Sequence, residues 1–243
     1  MKGAISSLAE RLNINILALR EHRSEIGFYA PNVDTNIFLF PGITAEKDGI
    51  FTNFYPEDTW YEALIKSYLD LKIPAFEKPS LRSESVKRTL FECAKYFGEE
   101  IKLPEIKEAS GFDGITYNSK APTDAITEER SYEMTDPAFY LYAASKRAEG
   151  ASGKELSLSK NGKRLLIAMA FLEADIKRCI TRLDTSVLYK RAKKCAEFYF
   201  DYYYEGGTDK KEKGLLSQAY FNFSSAIFYL FGSNALQDDR FIV

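Results

Sequence analysis

Four segments in the C-terminal half repeat their apolar residues every three or four positions, and a chain with that pattern has few alternatives to packed helices. Over 162–183 the stripe is Leu165, Met169, Leu172, Ile176, Cys179 and Leu183. Over 186–205 it is Leu188, Ala192, Cys195, Tyr199 and Tyr202, and over 210–231 it is Leu216, Tyr220, Phe223, Ile227 and Leu230. The first of the four, 136–149, opens with Pro137 at the first helical position and stops before Gly150. Short polar connections join them, so the expected fold class is mainly α. Residues 131–243 form an antiparallel helical bundle or stacked helical hairpins, and 1–130 form a small mixed α/β region. The last helix carries Phe221, Phe228, Tyr229 and Phe231 off its main stripe, so it is either central or covered by another chain.

The N-terminal region reads as shorter elements. A helix is expected over 4–12, with an extension through Leu19 possible on pattern. Strands are expected over 25–30, 36–40 and 50–55, separated by Pro, Asn, Asp and Gly turn signals. Helices follow at 58–71, capped by Asp58 or Thr59, and at 83–97, capped by Ser83 and stopped by Gly98. Residues 99–135 hold Pro104, Gly111, Gly114 and Pro122 and one expected strand, 115–117. The domain boundary is placed within 120–133.

Cys93, Cys179 and Cys195 lie far apart and form no Cys-x-x-Cys pair, which fits small core residues of a reducing compartment and no disulfide framework or zinc finger. The N-terminus lacks the apolar core of a signal peptide, and the longest purely apolar run, 165–172, is far short of a bilayer span. A cytoplasmic location with no membrane contact is the expectation.

Catalytic motifs are sparse. His22 is the only histidine, so any Ser/His/Asp or Cys/His arrangement hangs on it, and its charged neighbours place it at an exposed helix end. The segment 150–155 has the outline of a phosphate loop. It carries Ala148 where the first glycine belongs and Glu155 where Ser or Thr belongs. Two Glu-x-Lys triplets, beginning at Glu100 and Glu105, together with Asp113, support an alternative as a metal-dependent nuclease. Glu173 and Asp175 lack a histidine three residues on, and read as ion-pair partners of Lys177 and Arg178. No cofactor is expected.

Charge is segregated along the chain. Between positions 160 and 194 ten Lys and Arg stand against three acids, a balance of +7 that leaves −9 for the rest of a chain whose net charge is −2. Arg178 and Arg182 are four apart, as are Lys190 and Lys194, so like charges stack on each helix at a small cost that an anion opposite them relieves. Aromatic residues crowd 198–204 just downstream, and cations beside rings are the combination of single-strand and RNA binders. The expected site is therefore Lys163, Arg164, Lys177, Arg178, Arg182, Lys190, Arg191, Lys193 and Lys194, with Tyr202 and Tyr203 for bases. The competing account makes the lysines a solvated face and the rings core. The expected function is a non-catalytic binding or assembly subunit contacting single-stranded nucleic acid. The partners are other subunits or further copies of itself. A protein–protein scaffold without nucleic acid is the other alternative, motivated by the aromatic last helix and the apolar tail Phe241, Ile242 and Val243.

Overall fold

A computed structural model of the chain describes residues 3–31, 33, 41–72, 82–100, 144–145, 158–205 and 210–230. It is mostly helical, with one small antiparallel sheet near the N-terminus. The expected strands 36–40 and 115–117, the phosphate-loop-like segment and the C-terminal tail lie outside the described residues. So does the expected helix 136–149, apart from Ala144 and Ser145, which are helical.

Helix α1 (Ala4–Arg11) and a single 3-10 turn (Ile16–Ala18) lead into the sheet, so the first helix does not run through to Leu19. Asn13 ends α1 in the left-handed region, and Asn15 caps the turn by accepting from the Leu17 amide at 2.8 Å. The sheet contains β1 (Arg20–Glu21), β2 (Phe28–Pro31), β3 (Ile43–Asp48) and β4 (Phe51–Pro56) in the order β1-β2-β4-β3, with every pairing antiparallel. Gly49 at φ +58 and Ile50 close a two-residue hairpin between β3 and β4. Strand β3 escapes the sequence reading because its outer end, Glu46 to Asp48, is charged. The Asp48-Gly49 pair was the available signal.

One face of the sheet is buried. Phe28 and Phe54 pair across β2 and β4 with ring centroids 5.6 Å apart, and Phe28 meets Phe171 edge-on at 6.0 Å. Burying rings of this size contributes about 2–3 kcal/mol each relative to exposure. This ring triad fixes the sheet against the helices.

Helices α2 (Asp58–Leu69) and α3 (Arg82–Phe97) follow the expected bounds closely, and Gly98 at φ +67 stops α3. The expected single helix 162–183 is two: α4 (Lys160–Ala170) and α5 (Leu172–Arg182), separated at Phe171. The break is sustained from outside. The Ala168 carbonyl accepts from Arg191 Nη1 at 3.0 Å, and the Met169 carbonyl accepts from the Tyr68 hydroxyl at 2.7 Å. Both would otherwise be orphaned by the lost helical turn.

Helix α6 (Ser186–Tyr204) begins where Asp184 Oδ1 accepts from the Ser186 amide at 2.9 Å, and it packs on both α4 and α5. Helix α7 (Lys210–Leu230) touches α2, α3, α4 and α6, which makes it central and explains its nearly all-round apolar sequence. Tyr220 of α7 stacks on Tyr199 of α6 at 4.3 Å, and the Tyr199 hydroxyl pairs with Ser217 at 2.8 Å. Core residues from both sides of the expected domain boundary form one continuous cluster. Among the described residues no helix is long and apolar enough to cross a membrane.

Candidate nucleic-acid interface

Two carboxylates organise the cations of α5 and α6. Asp175 on α5 accepts from Arg178 Nη1 at 2.5 Å and from Arg191 Nε at 2.5 Å, while Glu21 of β1 binds Arg191 Nη1 and, at 2.5 Å, Lys194 Nζ. Arg191 is 6% exposed. Burial alone pushes its pKa down, but Asp175 and Glu21 hold it above the ordinary guanidinium value. A buried fork of this kind stitches β1 to α5 and α6, and it is costly to break from one side.

The expected site residues therefore divide. Arg191 and Tyr202 are corrected to interior roles: Arg191 is enclosed by its carboxylates, and Tyr202 is fully buried beside Tyr199. Lys163 pairs with Asp58 at 2.7 Å and lies over the Tyr61 ring, and Lys177 pairs with Glu99 and lies over Phe97. Tyr203 is half-buried under Lys213, and Arg164 and Lys193 are half-buried. Arg182 and Lys190 are exposed. Among the described residues no ion pair neutralises Arg164, Arg182, Lys190 or Lys193.

A residue outside the basic stretch completes the picture. The Arg20 guanidinium is lowered from its ordinary pKa, first by burial and then by the positive charge of Arg178, with Arg182 adding to the effect. Arg20 is held there by donating to the Leu17 carbonyl and, at 3.0 Å, to that of Leu19. Arg178, Arg191 and Lys194 thus share Glu21 and Asp175, three cations on two carboxylates, and Arg20 and Arg182 add positive charge within electrostatic reach of Arg178. The seam between β1, α5 and α6 keeps a positive surplus among the described residues. Sequence reasoning passed over Arg20 because the run Arg20 to Arg23 reads as a helix end, whereas it enters a strand.

The remaining chemistry is structural in placement. Glu173 does not pair with Lys177; its carboxylate accepts from the amides of Gly3 at 2.7 Å and Ser6 at 3.0 Å and from the Tyr96 hydroxyl at 2.6 Å, capping α1. Next to it a cleft of about 360 Å³ opens between α1, the 3-10 turn and the end of α3, lined by Ala9, Ile14, Tyr96, Phe97 and Lys177 among others. Cys93, Cys179 and Cys195 are free and buried. Of the nuclease candidates, Glu100 is exposed, and Glu105 and Asp113 lie outside the described residues. Among the described residues no three His, Cys, Asp or Glu side chains cluster as a metal site. Comparison of the chain with family models, with curated proteins and with solved structures finds no match in any of the three.

Proposed function

We propose that this chain is a non-catalytic binding subunit that holds single-stranded nucleic acid by its phosphates along the seam of β1, α5 and α6. The observation that carries this reading is a seam in which Arg178, Arg191 and Lys194 share two carboxylates while Arg20 and exposed Arg182 add charge that no ion pair among the described residues neutralises. Arginines crowded in this way repel one another, and a phosphate placed between them removes the repulsion while accepting paired N–H donors. Exposed Lys190 and half-buried Lys193 extend the positive surface along α6. The helical half serves as the bundle that supports this seam. Membership of a larger assembly is supported by Phe91 and Tyr96 of α3, which are 51% and 48% exposed and suit a protein partner better than water.

The test is a salt series of binding to a fluorescent oligothymidylate. Affinity should fall steeply as salt rises, and replacing Arg182, Lys190 and Lys193 together by alanine should weaken binding and reduce the slope of log K against log salt by roughly 0.7 per lost contact. Binding that ignores both salt and the triple substitution would remove this reading.

A further inference from the structure

An antiparallel sheet with one face on a core ordinarily turns polar side chains to water on the other. Here the outward positions of the first strands carry rings. The register pairs Arg20 with Tyr29, sets Tyr29 beside Asn53, and places Pro31 beside Phe51, opposite in sense to the buried Phe28 and Phe54. Tyr55 follows Phe54 and therefore shares the outward face, and His22 joins it through the bond from its amide to the Gly27 carbonyl at 3.1 Å.

The four rings form a continuous array. His22 lies 5.1 Å from Tyr29 and 6.2 Å from Tyr55, parallel to the latter within 2°, and Tyr29 meets Phe51 edge-on at 5.3 Å. Gly27 lies beside His22 and Tyr55. A Cβ there would come within 3.3 Å of the Tyr55 ring, 3.6 Å of the His22 ring and 2.5 Å of the Phe54 carbonyl. The Tyr55 hydroxyl donates to Glu25 at 3.0 Å, which fixes its ring, while His22 Nε2 is buried with no hydrogen-bond partner among the described residues. Phe51 is 38% exposed and Ile50 beside it 70%, so the array reaches solvent at the hairpin end.

We infer that this face of the sheet is a stacking surface for the unpaired bases of a single-stranded nucleic acid, with Tyr29, His22 and Tyr55 as its rings. The inference rests on the phosphate reading above and extends it from the backbone of the ligand to its bases. Charge decides how the strand lies. Arg20 and exposed Arg23 lie at the β1 edge, with the charge of Arg182 reaching Arg20, whereas Glu46 and Asp48, either side of Lys47, lie on the outer β3 edge and share the ring-bearing face. The phosphates follow the arginine edge and the bases reach inward over the rings, because the acidic edge repels the backbone. A duplex keeps its bases stacked on one another, so it gains nothing from these rings.

The experiment compares oligothymidylate with an abasic sugar-phosphate oligomer of the same length, each titrated with the full-length protein at two salt concentrations. The base-bearing strand should bind roughly tenfold or more tightly, and a Tyr29→Ala, Tyr55→Ala variant should lose that preference, while Tyr29→Phe, Tyr55→Phe, which keeps the rings, should retain it. Equal affinity for the two oligomers with a normal salt slope overturns the stacking surface and leaves the phosphate seam standing. Preference for bases without a salt slope overturns the seam and leaves the stacking surface. Absence of binding to either oligomer overturns both. The oligomer comparison is made on the unaltered chain, so it decides the matter even where the alanine variant does not fold.

Discussion

The carboxylate of Glu173 accepts three hydrogen bonds from groups that have little else to bond: the amides of Gly3 and Ser6 at the start of α1 and the hydroxyl of Tyr96 on α3. It also fits so closely that a Cβ on Gly3 would stand 2.3 Å from one of its oxygens. Replacing Glu173 by alanine strands the buried Ser6 amide, at a cost on the order of 1–3 kcal/mol, and leaves the part-buried donors of Gly3 and Tyr96 to water at a smaller cost each. Glu173→Ala should therefore lower unfolding free energy by about 3 kcal/mol in urea titrations, with faster amide exchange concentrated in α1. Glu173→Gln keeps one acceptor oxygen and should fall between. An alanine variant within about 0.5 kcal/mol of the parent would show that water replaces the carboxylate and that the cap carries no stability. Gly3→Ala tests the same contact from the other side, and its loss should not add to that of Glu173→Ala, because both act on one interaction.

Among the elements, the pair α4 and α5 depends on a residue of a third helix. Arg191 satisfies Asp175, Glu21 and the freed Ala168 carbonyl at once, so Arg191→Ala leaves that carbonyl without its side-chain donor and two buried carboxylates with one cation each, Arg178 on Asp175 and Lys194 on Glu21. That substitution should cost on the order of 3–5 kcal/mol, whereas Lys190→Ala one position before it, on the exposed side of the same helix, should change stability by less than about 0.5 kcal/mol. Thermal unfolding of the two variants separates them, and equal shifts would mean that the fork is no stronger than a surface pair. The contrast also shows what the sequence could disclose. Periodicity revealed α2, α3, α6 and α7 because each carries its own stripe and its own stop, such as Gly98 after α3. It could not reveal the break at Phe171, because Leu165, Met169, Leu172 and Ile176 keep helical spacing straight through it. The break is sustained by Arg191 and Tyr68, which stand 23 and 101 positions from the carbonyls they serve. The same distance rule governs the candidate site. The excess of cations over 160–194 is visible by counting, but Glu21 is 170 positions from Arg191, and only the fold decides which cation it takes. The rings of the sheet face went unread because Tyr29 and Tyr55 look like ordinary strand residues until the register shows which side is buried.

At the scale of the whole molecule, one core joins the N-terminal elements to the C-terminal helices, and its buried acids set how the fold responds to base. Burial raises the hydroxyls of Tyr61, Tyr68, Tyr96 and Tyr202 above their ordinary value of 10.0, with Asp58 adding to the effect at Tyr61, Glu173 at Tyr68 and Tyr96, and Glu212 at Tyr202. Two thiols follow the same direction from an ordinary 9.0: Cys179 through its hydrogen bond with Cys93 and then burial, and Cys195 through burial. In each case the folded state retains a proton that the unfolded chain releases. The stabilisation is therefore complete below pH 9 and lost as pH rises, first against the unfolded thiols and then, above 10, against the unfolded phenols. Each fully buried group contributes up to about 1.4 kcal/mol per pH unit, and Tyr96, half exposed, contributes less because solvent screens it, so a domain of ordinary stability should unfold within one or two units of pH 10. Urea unfolding followed from pH 7 to 11 should show a flat region and then a steep fall, with phenolate absorbance appearing together with loss of helix. Cys195→Ala removes one of the early-releasing groups and should flatten the portion between pH 9 and 10 while leaving the later fall in place. Phenolate absorbance from all tyrosines near pH 10 in a chain that is still helical would mean that these hydroxyls reach water in the native state, and the shared core would then be looser than the burial of Tyr61 and Tyr202 requires.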